Sequence, residues 1–544
     1  MSEDYATVPQ PILDMYSEAC TTHNRWNGLN ETVRNLVRPN SPSFNGAIGR
    51  GQPAAQRIYD STAVWAAEQL ASGLHSYMSD PGTRWFHLAL RGVPFEGLAP
   101  EEAEWLELTT DIMYSYFLDP RSRMDQSMIE MYSDVSSYGT GILFREWDDK
   151  VKILKFRAYP LASCKIMESA SGMVDTIFRD MMMTVAQIQQ EFPNVDLPAN
   201  MTSAGVSKDT LYKVTHAAYP NEDHVTSVYV PTNISKRFVS VYFIEESRLE
   251  LRRSGYDLFP YMVPRWTTMA GEIYGRGPAI TASPDIELLQ LMYKELIMAA
   301  QLANRPPMIL DDDGYTLPIS YVPGSLIFKT PGTEKPETLN LGGNFGITLE
   351  LLEQKRGQIA KSFHVDWLLR EKKKERQSVH EISDDRQEML RQISSPLGRL
   401  EAEFASPCIR GSFFLLDQAG VLPPPPDSLK GRPLEIIYNS PAAKAKDSSK
   451  AQGITQYLAD LAPMASINPE IYDGIDFAQV AQVQAVYRDV TRRVIRSPEK
   501  VRQIQDDRKK AQQNEQQTMQ TQQMGQVAGA LKDVATAQEK GLAM

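Results

Sequence analysis

A few short stretches of this sequence carry residue types that could do chemistry. His380-Glu381 opens like the helix of a zinc protease, in which a second histidine four positions after the first completes the metal site. Asp384 stands at that position, so ligation by two imidazoles fails and a solvated helix face is expected. Asp311-Asp312-Asp313-Gly314 has the acidity of a calcium loop but neither its alternating ligand spacing nor its closing glutamate, and reads as a turn. Gly275-Arg276-Gly277-Pro278 lacks the third glycine of a dinucleotide fingerprint and follows no clear βα crossover, so a tight turn is expected there too. No phosphate-binding loop of the Gly-x-x-x-x-Gly-Lys-Ser/Thr kind occurs. Seven scattered histidines give no Cys/His or Ser/His context for a nucleophile, and Cys20, Cys164 and Cys408 lie too far apart for a disulfide framework or a thiolate zinc site. The expectation is no catalytic residue, no metal and no cofactor. One basic run remains, Lys372, Lys373, Lys374 and Arg376, suited either to phosphate contacts or to a solvated helix end.

The elements that position these stretches belong to a large chain of 544 residues with 42% hydrophobic content, ample for several cores. Net charge is −11, which repels polyanions, so any contact with nucleic acid must be local. The first ten residues carry Glu3 and Asp4 and no apolar run, which predicts synthesis in a cytosol. Glu287, Lys294 and Glu295 interrupt the longest apolar stretch, 286–303, so no membrane span is expected.

From Pro11 to about Arg123 the reading is mainly helical. Ser61 or Thr62 could cap a helix whose Val64, Ala67, Leu70 and Leu74 recur at helical spacing, and another helix spans Pro100 to Phe117. Between about Ser136 and Glu246, segments rich in β-branched and aromatic residues predict strands with no repeating βαβ order, hence an α+β class, mainly α overall. From Pro284 to Asn304 nearly every position is apolar except a stripe of Glu287, Gln290, Lys294 and Gln301, which predicts a helix buried on most of its circumference. Turn-rich residues 308–345, with strand-like Ser325 to Lys329, form a small β insert, and a second helix follows from Ile347 toward Arg370 with Leu352, Ile359, Phe363 and Trp367 in phase. Two helices flanking a short insert are expected to lie antiparallel. Charged helix punctuated by Pro396 and Pro407 then runs from Ser378 to Ala419, a Pro423 to Pro426 spacer follows, and helices are expected near 451–461 and 477–495 before a Gln-rich tail from about Asp506.

Read in order, Arg57-Ile58-Tyr59-Asp60-Ser61-Thr62-Ala63, Leu70-Ala71-Ser72-Gly73-Leu74, Pro81-Gly82-Thr83-Arg84-Trp85-Phe86, Tyr274-Gly275-Arg276-Gly277-Pro278-Ala279, Ala303-Asn304-Arg305-Pro306-Pro307 and Leu415 to Pro426 resemble the portal, or head-to-tail connector, family of short-tailed double-stranded DNA phages. The resemblance covers most of the chain. It implies a ring of subunits, typically twelve, at one capsid vertex, each divided into wing, stem, clip and crown around an axial channel.

Carried onto this sequence, the resemblance implies a wing over 1–283, stem helices over 284–305 and 347–370, a clip over 306–346, a tunnel loop with the return helix of the wing over 371–440, a crown over 441–505 and the tail over 506–544. Lys372, Lys373, Lys374 and Arg376 would face the DNA, while Ile286, Leu289, Tyr293, Leu296, Ile359, Phe363 and Trp367 would form the stem interface. The implied partners are further copies of the chain, double-stranded DNA held without sequence preference, the terminase large subunit, major capsid and scaffolding proteins, and tail adaptor proteins, in the virion. A DNA-processing terminase component or nuclease, or a tail adaptor, is the alternative. The first two would need clustered carboxylates or a phosphate loop.

Overall fold

A computed structural model describes residues 7–46, 58–93, 98–198, 209–222, 236–304, 345–365, 394–438, 441–465 and 474–487, with a few short stretches elsewhere. The chain forms two compact units. One comprises 1–88, 107–424 and 436–440, the other 89–106, 425–435 and 441–544.

In the first unit, helix α1 (Gln10–Val37) buries Ile12, Tyr16, Ala19 and His23, spaced three to four residues apart on one face. That face lies on an antiparallel sheet of five strands, Cys164–Glu168, Val174–Thr184, Leu211–Pro220, Phe238–Ile244 and Leu249–Tyr256, in the order in which they occur in the chain. Strand alternation sorts the side chains. Val241 and Phe243 join Ile12 and Tyr16 on the helix side, while Tyr242 and Ile244 join Ile188 and Phe192 on the other. A short helix, α5 (Val185–Glu191), starts on that second face with a capping box between Thr184 and Gln187. A second, three-stranded antiparallel sheet pairs Leu143–Asp148 with Ile153–Ala158 on one side and Tyr261–Met262 on the other. The α+β class expected from the sequence is present.

Helix α2 (Thr62–Met78) packs against helix α4 (Met124–Tyr138), while helix α3 (Pro100–Phe117) has the bounds expected from the sequence. The α2–α4 contact uses small residues. Ala63, Ala66, Ala67 and Ala71 are buried, and Ser136 donates a hydrogen bond to the Ala67 carbonyl at 3.2 Å. Ser61 makes no side-chain cap to α2; the Asp60 carboxylate accepts from Thr62 N at 2.8 Å in its place.

The helix expected from Pro284 starts earlier, as α6 (Pro278–Asn304), and Pro284 sits inside it. Proline removes the amide that would satisfy the Ile280 carbonyl, and the Ser283 hydroxyl donates to that carbonyl at 2.9 Å instead. Helix α7 (Phe345–Ser362) follows, and of the insert between them the described pairing is Met308–Ile309 with Glu337–Thr338, antiparallel. The helix broken by prolines in the sequence reading continues past Pro407 through a π-helical turn at Glu401–Ala405 into α8 (Ser406–Gln418). A wider turn accommodates a residue that cannot donate to the preceding ladder.

In the second unit, helices α9 (Pro441–Ala465) and α10 (Phe477–Tyr487) pack together, and Gln484 donates to Thr455 Oγ1 at 3.0 Å. Glu102 accepts from Ala99 N at 3.1 Å and lies 3.6 Å from Arg432. No helix among the described residues is long and apolar enough to cross a membrane.

Candidate functional site

Helix α6 starts from a point where three glycines bring two backbone segments together. Gly139 has φ +81°, and a Cβ on it would fall inside the backbone of Arg276 and Gly277, while one on Gly275 would fall on the Gly139 carbonyl. Gly275 N donates to Thr140 Oγ1 at 2.8 Å, and Trp266 N donates to the Gly139 carbonyl at 2.8 Å. Only residues without a side chain permit this approach, and Pro278, with its fixed φ, begins the helix directly after it. The Gly275–Pro278 stretch is therefore the launching turn of α6.

Half a helix further on, polar groups lock α6 and α7 to the start of α2. Gln290 is buried; its Oε1 accepts from Tyr59 N at 2.7 Å and Asp60 N at 3.1 Å, and its Nε2 donates to the Asp60 carbonyl at 2.6 Å. Arg356 of α7 donates to the buried Asp60 carboxylate, Nε at 2.9 Å and Nη2 at 2.8 Å, and its guanidinium lies 5.4 Å from the Tyr293 ring centroid. Burial works to raise the Asp60 pKa, but hydrogen bonds from Thr62 and Arg356 outweigh it and hold the carboxyl below its usual range. Lys355 and Asp285 add a bond of 2.8 Å between the two helices.

Burial divides along the helices. Ile286 and Leu289, with Ile359 and Phe363 opposite, are at most 1% exposed, covered by their own chain. Tyr293 and Leu296 are half-buried. Leu288, Leu291, Ile297, Met298 and Leu302 on α6, and Leu349 and Leu351 on α7, stand 36–53% exposed. Large apolar side chains gathered on two neighbouring helices make a surface suited to association. Trp367, Lys372, Lys373, Lys374 and Arg376, as well as His380, Asp384 and Asp311–Gly314, lie outside the described residues.

Sequence reasoning missed the Asp60–Gln290–Arg356 lock, although Gln290 was visible as a polar interruption of an apolar helix. It placed Gln290 in one stripe with Glu287, Lys294 and Gln301; those three are exposed and Gln290 is not. It also missed two buried arginines. Arg265 holds Glu403 through bonds of 2.6–3.2 Å, reaches Glu168 at 3.0 Å and donates to the Gly172 and Ile273 carbonyls. Burial opposes its charge, but the two carboxylates more than offset this and raise its pKa. Among the described residues Arg145 has no carboxylate partner. It donates to the carbonyls of Pro407 at 2.8 Å and Cys408 at 3.2 Å, packs against Gly411, and burial lowers its pKa to about 10.

One constellation has the outline of a hydrolase triad. His75 Nε2 lies 2.7 Å from Asp125 Oδ1, and His75 Nδ1 lies 3.1 Å from Ser79 Oγ. The sequence reading found no such Ser/His context, although His75 and Ser79 are one helical turn apart. Ser79 is completely buried and its hydroxyl neighbours Tyr132 OH at 3.3 Å, so no substrate reaches it and the cluster works as internal bonding. Among the described residues no group of three or more His, Cys, Asp or Glu side chains is placed to hold a metal ion. The three cysteines are free.

Helix α6 is thus launched from a glycine contact and bonded through Gln290 to Asp60, to which Arg356 of α7 is bonded as well, and both helices carry exposed apolar side chains. The family of bacteriophage head to tail connecting proteins matches residues 10–494. The chain belongs to that family. The connector is 27% identical to the portal protein of Salmonella phage epsilon15 over 549 aligned positions, spanning 98% of this chain and 96% of that one. It is 26% identical to the probable portal protein of Bordetella phage BPP-1 over 548 positions, with the same coverage. Connectors of this kind are structural proteins and not enzymes.

Proposed function

We propose that this connector forms a closed ring of about twelve copies at one capsid vertex, through which DNA enters during packaging and leaves at ejection. The observation that carries this reading is the exposed apolar surface of α6 and α7 on a chain that the connector family matches nearly end to end. A heterologous contact that closes on itself covers such a surface on every copy. The stem helices are 284–305 and 347–370, and the outward residues, Leu288, Leu291, Ile297, Met298 and Leu302 with Leu349 and Leu351, meet the neighbouring copy. Ile286, Leu289, Ile359 and Phe363 support that face from inside, and Tyr293, Leu296 and Trp367 border it.

The remaining divisions follow the same scheme: wing 1–283, clip 306–346, tunnel loop and return helix 371–440, crown 441–505 and tail 506–544. The clip receives the terminase large subunit during packaging and tail adaptor proteins afterwards, and capsid and scaffolding proteins surround the wing in the virion. With a net charge of −11, the subunits surround DNA without gripping it, while Lys372, Lys373, Lys374 and Arg376 supply a few phosphate contacts per subunit. Negative-stain microscopy of the purified chain tests this. Closed rings with an axial opening are expected; monomers or closed dimers at every concentration and salt would overturn the reading.

A further inference from the structure

The five-stranded sheet of the first unit is covered at one edge and, among the described residues, nearly bare at the other. At the first edge the strand Cys164–Glu168 lies against α1, and Ile166 N donates to Tyr274 OH at 3.2 Å. At the second edge the strand Leu249–Tyr256 pairs on its inner side with Phe238–Ile244. On its outer side Thr7 stands antiparallel opposite Leu249, and Val8 N donates to the Arg248 carbonyl at 3.0 Å. Past that bridge the described residues put no strand on it. An open strand edge is a template for pairing with another chain, and proteins manage it by covering it.

The Thr7 bridge sets a direction and a register. Val8 is buried with Ile12 and Tyr16 on the α1 side of the sheet. A chain continuing back from it in extended form therefore places residues 6 and 4 on that side and residues 7, 5 and 3 on the other. The strand carries matching partners on both sides. Arg253 stands opposite Val241 on the α1 side. Leu249, Leu251 and Arg252 lie on the far side, where the Arg252 guanidinium is 4.5 Å from the Tyr242 ring centroid; the register skips Leu251 at a bulge, which puts two consecutive residues there. The sequence before Thr7 reads Met1-Ser2-Glu3-Asp4-Tyr5-Ala6. Laid along the strand, Asp4 falls on the side of Arg253, and Tyr5 and Glu3 fall on the side of Leu251 and Arg252. Arg252 has room for such a partner: its side chain is 44% exposed, and its salt bridge to Glu191 spans 3.8 Å. Six residues extended at about 3.3 Å each reach about 20 Å, which covers most of the strand beyond Leu249.

We propose that residues 1–6, which lie outside the described residues, add to Leu249–Tyr256 as a sixth, antiparallel strand and close this edge within their own chain. Main-chain hydrogen bonds hold such a strand, and the side-chain pairs across it fix its register. The edge is then closed to pairing with the strands of a neighbouring copy.

Hydrogen exchange of the full chain, compared with a variant lacking residues 2–6, tests this. The deletion should release about three amides between 250 and 256, since alternate residues of a strand face its outer edge, and should leave α6 unchanged. Glu3→Arg with Asp4→Arg should release the same amides by like-charge repulsion, and adding Arg252→Glu with Arg253→Glu should restore part of their protection. The variant Asp4→Cys with Arg253→Cys assigns the chain. Treated with oxidised glutathione, it should form a disulfide between positions 4 and 253, located by peptide mass mapping, in a species that runs at 61.2 kDa on a denaturing gel. Exchange unchanged by the deletion, no restoration by the reversed charges, or a disulfide joining two copies would each overturn the proposal.

Discussion

Replacing Leu291 by aspartate should prevent assembly while leaving the single subunit folded. Leu291 is 52% exposed on the lone chain, so the substitution places a charge where the chain itself leaves room. Seven side chains on α6 and α7 are each roughly half exposed, together equal to about three whole ones. Fully burying a side chain of this size contributes about 1.5–3 kcal/mol, so covering them all is worth about 5–10 kcal/mol per copy. Leu291→Asp forfeits about 1 kcal/mol of that by the same scale. It also buries an unpaired carboxylate at each contact, which costs several kcal/mol more. A loss of about 4 kcal/mol per contact raises the dissociation constant about a thousandfold. Sedimentation velocity across a wide concentration range, with circular dichroism alongside, measures this. Leu289→Asp is the internal contrast: Leu289 is 1% exposed within its own chain, so that variant should lose helical signal as well as assembly. Leu291→Asp rings forming at wild-type concentration would refute the reasoning, because the face would then be solvent-exposed in the assembly.

Further outcomes follow from the same geometry. Arg356→Ala leaves the Asp60 carboxylate buried without its partner and should cost about 2–4 kcal/mol; adding Asp60→Asn should restore part of it, read by a double-mutant cycle in urea. Gly277→Ala places a Cβ 2.7 Å from Gly139 N and the Ser137 carbonyl, backbone atoms that cannot swing aside, so the variant should be poorly soluble or show faster hydrogen exchange in 278–290. Asp134 is a pH probe. Its pKa rises from 3.8 unfolded to about 6 folded, so its contribution to stability is full below pH 3.8 and is lost as pH climbs through 6. Asp134→Asn should flatten the unfolding midpoint against pH over that window, the ceiling at neutral pH being about 3 kcal/mol before the lost Arg38 pair is subtracted. Changing Lys372, Lys373 and Lys374 together to Ala should leave assembly intact and lower the yield or length of packaged DNA.

Helix periodicity made α2, α3 and the second halves of α6 and α7 legible, because each needs one apolar face at a spacing of three to four residues. What sequence could not show was which apolar residues the chain covers for itself. Ile286 and Leu291 look alike in a run of letters, and only the packing of α1, α4 and α7 against α6 separates buried support from open surface. The early start of α6 was hidden by Pro284, whose cost is met by a single serine hydroxyl one residue before it. Arg265 and Arg145 were illegible for a related reason: their partners, Glu403 and the Pro407 and Cys408 carbonyls, lie more than a hundred residues away and depend on a π-helical turn that no local pattern announces. The resemblance placed Tyr59-Asp60-Ser61-Thr62 and Gly275-Arg276-Gly277-Pro278 among the carrying strings, and both sit where α6 is gripped.

The mass of the native particle tests the central claim most directly. Mass spectrometry of the purified 61.2 kDa chain under native conditions should give one dominant species of roughly 0.7 MDa, the mass of about twelve copies closed by cyclic symmetry. A dominant 61.2 kDa species at all concentrations would contradict it, since the open faces of α6 and α7 would then need no neighbour.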